Sequence, residues 1–387
     1  MTTKELDRAY VAPTYARFPV ELVRGQGSLV WDENGKEYID LGTGIAVNTF
    51  GLADESWAAA VTAQLHALQH ASNLYYTAPG AQLAAALCER TGMKKVFFGN
   101  SGAEANECAI KVARKWAQET KGPEYYPIIT LKNSFHGRTI TTLAATGQDV
   151  FHEKFTPLTP GFLYADPADP AGLERLASEN QCAAILFEAV QGEGGVLPLP
   201  ADFVEAMKAV AAKHALLLMA DEVQIGNGRS GALYGYMNLG LRPDVVTTAK
   251  GLGGGLPIGA CLLGERVERV LGPGDHGSTF GANPAVCAGA LNVLGRLTDE
   301  VLAGVRERSD RVVKALSGAP GVKGVTGMGL MLGVETERPA ADVVAACREN
   351  GVLVLTAKSK VRLLPALNIP LDLLDRAVSI LRDACAG

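Results

Sequence analysis

Three short motifs place charged or reactive side chains directly after apolar runs of the chain. Ser101 opens the small-residue stretch Ser101–Ala103 after one run, Asp221 ends a second run, and Lys250 follows a third. Backbone N–H groups at a helix start suit a phosphate. A buried carboxylate requires a cation, and a desolvated lysine amine can attack a carbonyl carbon. The motifs therefore predict an anion site, a charge partner and a nucleophilic amine.

Each motif also has a simpler structural interpretation. Ser101 and Glu104 form a capping-box pattern, which is typical of a helix start with or without a ligand. Asp221 could cap a helix or form an ion pair with Arg229. Lys250 could extend from a strand end into solvent. Taken one at a time, the structural interpretations of Asp221 and Lys250 are the commoner ones, so the argument for chemistry rests on the three motifs together.

The elements predicted around the motifs would bring them to one place. Short apolar runs alternate with longer amphipathic stretches, which predicts an α/β fold with a mainly parallel sheet covered on both faces. Ligands of such sheets bind at the carboxyl ends of the strands, where all three motifs lie. The predicted strands are Lys95–Phe98, Ile128–Leu131, Ala183–Glu188, Leu216–Asp221 and Val245–Thr248, and the predicted helices are Ala103–Glu119, Leu173–Glu179 and Ala201–His214.

Pyridoxal 5'-phosphate is the cofactor that needs these three groups at once. Its phosphate needs N–H donors, its ring nitrogen needs an anion such as Asp221, and its aldehyde needs an amine such as that of Lys250. We therefore predict that the chain is an enzyme that binds this cofactor.

Two other classes of protein fit the sequence less well. A nucleotide-dependent oxidoreductase would need a G-x-G-x-x-G stretch after a strand, and Gly251–Gly255 lacks that spacing. A binding module without enzymatic activity would leave the joint presence of Lys250, Asp221 and Arg138 unexplained. Both alternatives are separated from the predicted enzyme by its yellow absorption band, which only a cofactor bonded to lysine gives.

The composition of the chain bears on which partners it could bind and where in the cell it is expected. The chain has 387 residues, a net charge of −5 and no basic tract, so it offers no electrostatic case for nucleic acid or an anionic membrane. The first ten residues contain no apolar signal core, and we expect a cytoplasmic protein. The seven cysteines and six histidines are scattered without the spacing of a metal site, so no metal is expected.

The apolar pattern changes at both ends of the chain. After about residue 285, a long helix is predicted from Pro284 to Thr298 and onward, followed by a smaller α+β unit. The turn Glu33–Gly35 predicts a hairpin near the N-terminus. The hairpin strands are Leu29–Trp31 and Glu37–Asp40, and the C-terminal unit has strands near Gly329–Glu335 and Val352–Leu355 and helices at Ala340–Asn350 and Leu371–Ala386.

Nearly the whole chain resembles the class III aminotransferases, a family within fold type I of the pyridoxal phosphate enzymes. Many blocks of family sequence occur in family order. They include Val23–Gly27, Asn100–Glu107, Phe135–Thr139, Glu188–Gly195, Asp221–Gln224, Ala249–Gly255, His276–Pro284 and Val361–Leu367. The resemblance implies a large cofactor-binding domain at 51–283 with a mainly parallel, seven-stranded sheet. It also implies a smaller α+β domain at 284–387, with the N-terminal segment 1–50 packing against that domain.

The resemblance assigns cofactor contacts to individual residues. Lys250 would bond covalently to the cofactor aldehyde, and Asp221 would pair with its ring nitrogen. Thr279 would reach the phosphate of a neighbouring subunit, which implies a homodimer with shared sites. The other implied contacts are Ser101, Gly102 and Ala103 at the phosphate, Phe135 and Val223 on the two ring faces, and Gln224 at the phenolic oxygen.

The resemblance also implies four substrate contacts. Arg138 and Ser278 would contact the amino-acid substrate, and Arg362 would bind a carboxylate. Glu193 would pair with Arg362 when the second substrate is absent. His136, next to Phe135, is interpreted as a residue with local hydrogen bonds rather than a ring contact.

The implied reaction is transfer of a terminal amine to 2-oxoglutarate. The expected donor is N2-acetylornithine, and ornithine, 4-aminobutyrate, succinyldiaminopimelate and carrier-linked substrates of lysine synthesis are the alternatives, because sister enzymes share these motifs. Three positions depart from the family pattern: Ala189 replaces a proline, Gly51–Trp57 replaces a histidine-containing turn, and Ala103 removes a hydroxyl from the phosphate site.

Overall fold

The computed structural model describes all 387 residues, and its strands form four sheets. Most of the strands are short runs of apolar and β-branched residues. The strands are β1 (Leu22–Gln26), β2 (Leu29–Asp32), β3 (Glu37–Asp40), β4 (Lys95–Gly99), β5 (Ile128–Leu131), β6 (Phe162–Ala165), β7 (Ala184–Phe187), β8 (Val190–Gln191), β9 (Leu197–Pro198), β10 (Leu217–Asp221), β11 (Val245–Thr248), β12 (Gly259–Leu263), β13 (Val322–Met328), β14 (Met331–Thr336), β15 (Val352–Leu353), β16 (Leu355–Ala357) and β17 (Lys360–Leu363).

The helices cover the sheets and connect their strands. None of them combines the length and the apolar composition needed to cross a lipid bilayer. They are α1 (Thr3–Tyr10), α2 (Thr43–Ala46), α3 (Glu55–Ala67), α4 (Ala78–Thr91), α5 (Gly102–Thr120), α6 (Ile140–Ala145), α7 (Pro170–Glu179), α8 (Ala201–Lys213), α9 (Gly235–Asn238), α10 (Pro284–Arg296), α11 (Asp299–Leu316), α12 (Ala340–Glu349) and α13 (Leu371–Ala386).

The central sheet has seven strands in the order β4-β12-β11-β10-β7-β5-β6. Six strands run in the same direction, and β12 is antiparallel to both of its neighbours. Every residue of β5, β7, β10 and β11 is buried, because helices cover both faces of the sheet. The predicted α/β fold with a mainly parallel sheet is confirmed, and the shared direction of six strands gathers their carboxyl ends at one edge.

The C-terminal helical segment is broken where the sequence suggested one long helix. Leu297 ends the first helix, and Thr298 caps the second, its side-chain oxygen accepting the N–H of Val301 at 3.3 Å. Threonine at this position satisfies a backbone donor that a continuous helix would have bonded internally. The prediction of one continuous helix from Pro284 past Thr298 is therefore wrong, and α10 and α11 are separate.

The two ends of the chain share a core. The hairpin β2–β3 forms as predicted, and β3 pairs in parallel with β15 of the C-terminal unit. Ile39 and Leu41 belong to the same hydrophobic cluster as α12 and α13. By contrast, Ala290 and Val293 of α10 lie in the core of the central sheet. The expected boundary between residues 283 and 284 thus falls within that core.

Candidate active site

A cavity of about 380 Å³ lies at the carboxyl edge of the central sheet. One residue from each of the three sequence motifs, namely Ser101, Asp221 and Lys250, lines this cavity. Most of its walls come from loops that follow β4, β5, β7, β10 and β11. The other lining residues are Val47, Asn100, Gly102, Ala103, Asn106, Phe135, His136, Gly137, Glu188, Val223, Gln224, Ala249, Gly255, Leu256, Pro257 and Ile258.

The first turn of α5 points unpaired N–H groups at this cavity. The Ser101 hydroxyl accepts the N–H of Glu104 at 3.1 Å, and the Glu104 carboxylate accepts the N–H of Asn100 at 2.9 Å. Glu104 is therefore a helix cap, as predicted. The N–H groups of Gly102 and Ala103 have no acceptor within the helix, since the first turn of any helix leaves them unpaired. They form a site for an anion.

Asp221 is held by three donors. Its Oδ2 accepts the side-chain amide of Asn106 and contacts Nδ1 of His136, both at 2.8 Å. Its Oδ1 accepts the N–H of Val223 at 3.0 Å. Asn106 is itself fixed, because its carbonyl oxygen accepts the hydroxyl of Thr247 at 2.7 Å. These bonds stabilise a buried carboxylate and leave capacity on Oδ1 for a further donor in the cavity.

Arg229 does not pair with Asp221. The buried guanidinium donates instead to the backbone carbonyls of Leu330 and Pro365, both at 2.9 Å. The alternative interpretation of Asp221 as half of an ion pair with Arg229 is therefore wrong. His136 also differs from expectation, since its partner Asp221 lies 85 residues away in sequence and the contact is not local. The carboxylate is free to serve a ligand in the cavity.

Lys250 begins a short 3-10 turn that follows β11. Its φ of 45° lies in the left-handed region, which costs a non-glycine residue on the order of 1 kcal/mol. Two side chains hold the following loop: Thr49 donates to the Gly251 carbonyl at 2.7 Å, and Trp57 donates to the Gly253 carbonyl at 3.0 Å. Loss of bulk water around the amine lowers the pKa of Lys250 to about 8. The amine is therefore partly neutral near physiological pH.

Glu188 links two loops of the site. One oxygen accepts the N–H of Phe135 at 2.9 Å, and the other accepts the N–H of Gly192 at 3.3 Å. Burial raises the pKa of this carboxyl well above its ordinary value, and the nearby charge of Asp221 adds to the shift. Through Glu188, the loop that carries Phe135 is tied to the loop that carries Glu193.

A second charged cluster lies next to Lys250. Arg362 is buried on β17 and donates to Glu193 at 2.6 Å and to the side-chain oxygen of Gln224 at 3.0 Å. Gln224 in turn donates to Glu193 at 3.1 Å. Burial raises the pKa of Glu193, but the charge and hydrogen bond of Arg362 outweigh it, so the net pKa lies below the ordinary value. The cluster is a buried cation paired with a carboxylate.

Five residues with implied roles lie outside the cavity lining: Glu193 and Arg362 form the cluster beside Gln224, and Arg138, Ser278 and Thr279 lie elsewhere. Arg138 is exposed and stacks on aromatic rings. The Ser278 hydroxyl accepts the side-chain amide of Asn100 at 3.2 Å, at the rim near the start of α5. Thr279 is exposed and does not line the cavity of its own chain. A role for Thr279 would therefore require a second copy of the chain.

Comparison with known proteins agrees with this geometry. A sequence model of the family described as aminotransferase class-III matches residues 10–385. This chain is a class III aminotransferase. The acetylornithine aminotransferase of Haemophilus ducreyi is 50% identical over 380 residues, which cover 98% of this chain and 97% of that protein.

Two solved structures share the fold. An N-acetylornithine aminotransferase from Stenotrophomonas maltophilia has a TM-score of 0.85 at 35% identity, covering 99% of this chain and 98% of that one. An ornithine aminotransferase from Toxoplasma gondii, described with pyridoxal phosphate at its active site, has a TM-score of 0.93 at 32% identity, covering 99% and 93% of the two chains. Since the fold is shared along the whole length, this chain is an aminotransferase of fold type I.

The cavity of this class III aminotransferase fits pyridoxal phosphate, the cofactor of the family. A side chain at position 102 would place its Cβ 2.7 Å from Val223, so glycine keeps the space between α5 and that wall open. Phe135 and Val223 both line the cavity and offer apolar surfaces for a ring. With N–H donors at one end, the carboxylate of Asp221 at another and the amine of Lys250 beside it, the donor set matches the three polar parts of the cofactor.

Sequence reasoning missed the residues that support Asp221. Asn106 is one of them, and it lies on the buried face of α5 together with Ala109 and Ala113. A polar side chain on such a face signals a buried hydrogen-bond network. The position of Asn106 within the apolar pattern was therefore the signal that could have identified it.

Proposed function

We propose that this aminotransferase transfers the terminal amine of N2-acetylornithine to 2-oxoglutarate, giving N-acetylglutamate 5-semialdehyde and glutamate, a step of arginine synthesis. The relative from H. ducreyi, named for this donor, supports the assignment. The observation that carries it is the 2.6 Å contact between Arg362 and Glu193 near Lys250. In the proposal Glu193 neutralises Arg362 while one substrate is bound, and Arg362 binds the carboxylate of the other substrate.

The two substrates make different demands on one pocket. The donor reacts at the end far from its carboxylate, whereas glutamate reacts at the carbon that bears its carboxylate. In the proposal Arg138, at the mouth, binds the distant carboxylate of the donor. Arg362, inside, binds the carboxylate next to the reacting carbon of 2-oxoglutarate, and Glu193 neutralises Arg362 in the other half-reaction, since an unpaired buried guanidinium is costly.

The acetyl group of the donor also suits the charge at the mouth. A free α-amine, as in ornithine, would bring a second cation close to Arg138 and would weaken binding there. An acetylated amine is neutral and brings none. The charge of Arg138 therefore favours N2-acetylornithine over ornithine.

The residues around Lys250 divide the proton chemistry. When bound, pyridoxal phosphate carries the amino group between the substrates and withdraws electrons from the reacting carbon. In the proposal Asp221 holds a proton at the ring nitrogen, and its bonds from Asn106 and His136 keep it oriented. Lys250, with a pKa of about 8 in the unliganded site, would take the proton from the amine-bearing carbon of the donor and deliver it to the cofactor carbon that carried the aldehyde.

We further propose that two copies of the chain form a homodimer with shared sites. Thr279 is exposed beside Phe280, whose ring is 60% exposed, and Leu74 and Tyr75 are exposed 87% and 73%. Asn73 joins these segments into one patch by donating to the carbonyls of Ser278 and Gly281. So many large apolar groups on one surface suit an interface. A cytoplasmic location stays a prediction from the sequence.

A panel of amino donors with 2-oxoglutarate tests the substrate. We expect kcat/KM for N2-acetylornithine to exceed those for ornithine, 4-aminobutyrate and succinyldiaminopimelate by at least about tenfold, the scale on which pockets separate related substrates. A higher value for any of the other three would overturn the proposed donor and leave the family assignment intact.

A further inference from the structure

Arg138 directly follows Gly137 in the cavity wall, and its side chain contacts two aromatic rings. The side chain is exposed and makes no hydrogen bond and no ion pair. Its guanidinium carbon lies 4.7 Å from the ring centre of Phe151 and 5.7 Å from that of Phe135. The two rings pack edge to face, with their centres 5.7 Å apart. Of the two, Phe151 is the nearer, and it has no role in the chemistry described above.

Phe151 is fixed by the segment around it. It ends the 3-10 turn Asp149–Phe151, and the next residue, His152, contacts the carbonyl of Leu143 in α6 at 3.0 Å through its Nε2. The His152 ring also packs 5.8 Å from the ring of Tyr164. The turn is therefore anchored to α6 and to β6, and Phe151 offers Arg138 a defined surface.

Stacking on a ring holds an arginine without using its hydrogen-bond donors. The five N–H groups of a guanidinium lie in its plane, whereas an aromatic ring contacts its face. Arg362 shows the opposite arrangement, since its Nη1 donates to the carboxylate of Glu193. Each substrate would have to displace a carboxylate partner from the N–H groups of Arg138. An aromatic partner leaves those N–H groups free, so nothing has to be displaced.

We propose that Phe151 is a positioning residue that holds Arg138 with its N–H groups free, so that the site selects donors that carry a carboxylate far from the reacting amine. The inference rests on the role proposed for Arg138. Loss of the ring removes the cation–π contact and the ordering of a flexible side chain before binding, so recognition of the carboxylate should weaken about three- to tenfold.

Two substrates that differ only in the carboxylate isolate this effect. N-acetylputrescine is N2-acetylornithine without its carboxylate and keeps the terminal amine. The ratio of kcat/KM for the two donors is measured with the holoenzyme and with Phe151→Leu, Phe151→Tyr, Arg138→Gln and Phe155→Leu. Phe155 is the matched control, because it is an exposed phenylalanine in the same part of the chain, 56% exposed, with no contact to Arg138.

The inference predicts that Phe151→Leu lowers the ratio about three- to tenfold by raising KM for N2-acetylornithine, with N-acetylputrescine unaffected. Phe151→Tyr should restore the ratio, and Phe155→Leu should leave it as in the wild type. A ratio for Phe151→Leu within about twofold of wild type, or an equal loss with both donors, would overturn the inference. If Arg138→Gln also keeps the ratio, the proposed role of Arg138 fails as well, which separates the two claims.

Discussion

At the scale of single residues, the neighbours of each charged group determine what it can do in the site. Asp221 is buried, and the hydrogen bonds that it accepts from Asn106 and from the backbone of Val223 fix its orientation. Lys250 is in a different situation, since loss of water lowers its pKa and no carboxylate bonds to its amine. One group is thus held in place and the other is made reactive.

The pKa of Lys250 predicts how the protein without cofactor captures pyridoxal phosphate. The neutral amine is the reactive form, and with a pKa of about 8 its fraction rises roughly tenfold between pH 7 and pH 9. Stopped-flow absorption should therefore show a capture rate that rises with a midpoint near pH 8. A rate that keeps rising towards pH 10.5, the ordinary lysine value, would show that the amine is not desolvated.

Arg362 and Glu193 predict opposite changes in the two half-reactions. Arg362→Ala should slow the 2-oxoglutarate half by about a hundredfold or more, the usual loss for a buried carboxylate contact, and should affect the donor half far less. Glu193→Gln should leave Arg362 without a negatively charged partner. The rate with glutamate as donor should therefore rise relative to the rate with N2-acetylornithine. Stopped-flow spectra of each half-reaction measure both. If Arg362→Ala slowed both half-reactions equally, the proposed alternation of Arg362 between Glu193 and the substrate carboxylate would be contradicted.

At the scale of elements, the parallel strands and the start of α5 place the chemistry. The sequence predicted β5 and β11 to the residue, because both are short runs rich in β-branched residues, and every residue of both is buried in the covered sheet. It did not predict the antiparallel β12, since that strand has the same apolar pattern as its parallel neighbours. Direction depends on the path of the loops, which periodicity does not describe.

The candidate site could be predicted only where a motif is local. Ser101 and Glu104 are three residues apart, so their cap was readable from the sequence. The contacts of Asp221 join segments about a hundred residues distant, at Asn106 and His136. Such contacts depend on which strands become neighbours in the sheet, and a single sequence carries no direct record of that.

The close approach of α5 to the loop after β10 predicts the effect of a single methyl group. In Gly102→Ala the added Cβ would lie 2.7 Å and 2.9 Å from the methyl carbons of Val223, so the cavity wall must shift. We expect cofactor binding to weaken by about 1–3 kcal/mol, the usual cost of overpacking. Equilibrium dialysis of pyridoxal phosphate measures this change.

Gly295→Ala is the matched control for that substitution. Gly295 also lies in a helix, and its Cβ would meet no atom within 4 Å. Alanine is the better helix former, so the control should keep its cofactor affinity and gain about 0.5–1 kcal/mol of stability. Unchanged cofactor affinity in Gly102→Ala would show that Val223 does not form a tight wall of the site.

At the scale of the whole molecule, the C-terminal unit completes a site that the central sheet begins. Arg362 comes from β17, and Arg229 joins the two parts by donating to the carbonyls of Leu330 and Pro365. The N-terminal hairpin adds its strand β3 to β15. Val47 lines the cavity and Arg362 contacts Gln224 in its wall, so residues from the beginning, middle and end of the chain meet at one site.

The exposed patch around Thr279 predicts a dimer in solution. Leu74→Asp places a charge in this patch and should shift sedimentation towards the monomer and weaken cofactor binding, since Thr279 would no longer reach a partner's site. Ser379→Asp adds the same charge on the exposed face of α13 and should leave the dimer intact. A wild-type monomer with full activity would contradict the shared sites.

Transfer of a labelled amine tests the central claim most directly. The enzyme with bound cofactor is given N2-acetylornithine carrying nitrogen-15 in its terminal amine, together with 2-oxoglutarate, and glutamate is examined by mass spectrometry. The account predicts that wild-type enzyme places the label in the amine of glutamate, and that folded Lys250→Ala places almost none there. Absence of label with the wild type, or equal labelling by Lys250→Ala, would contradict it.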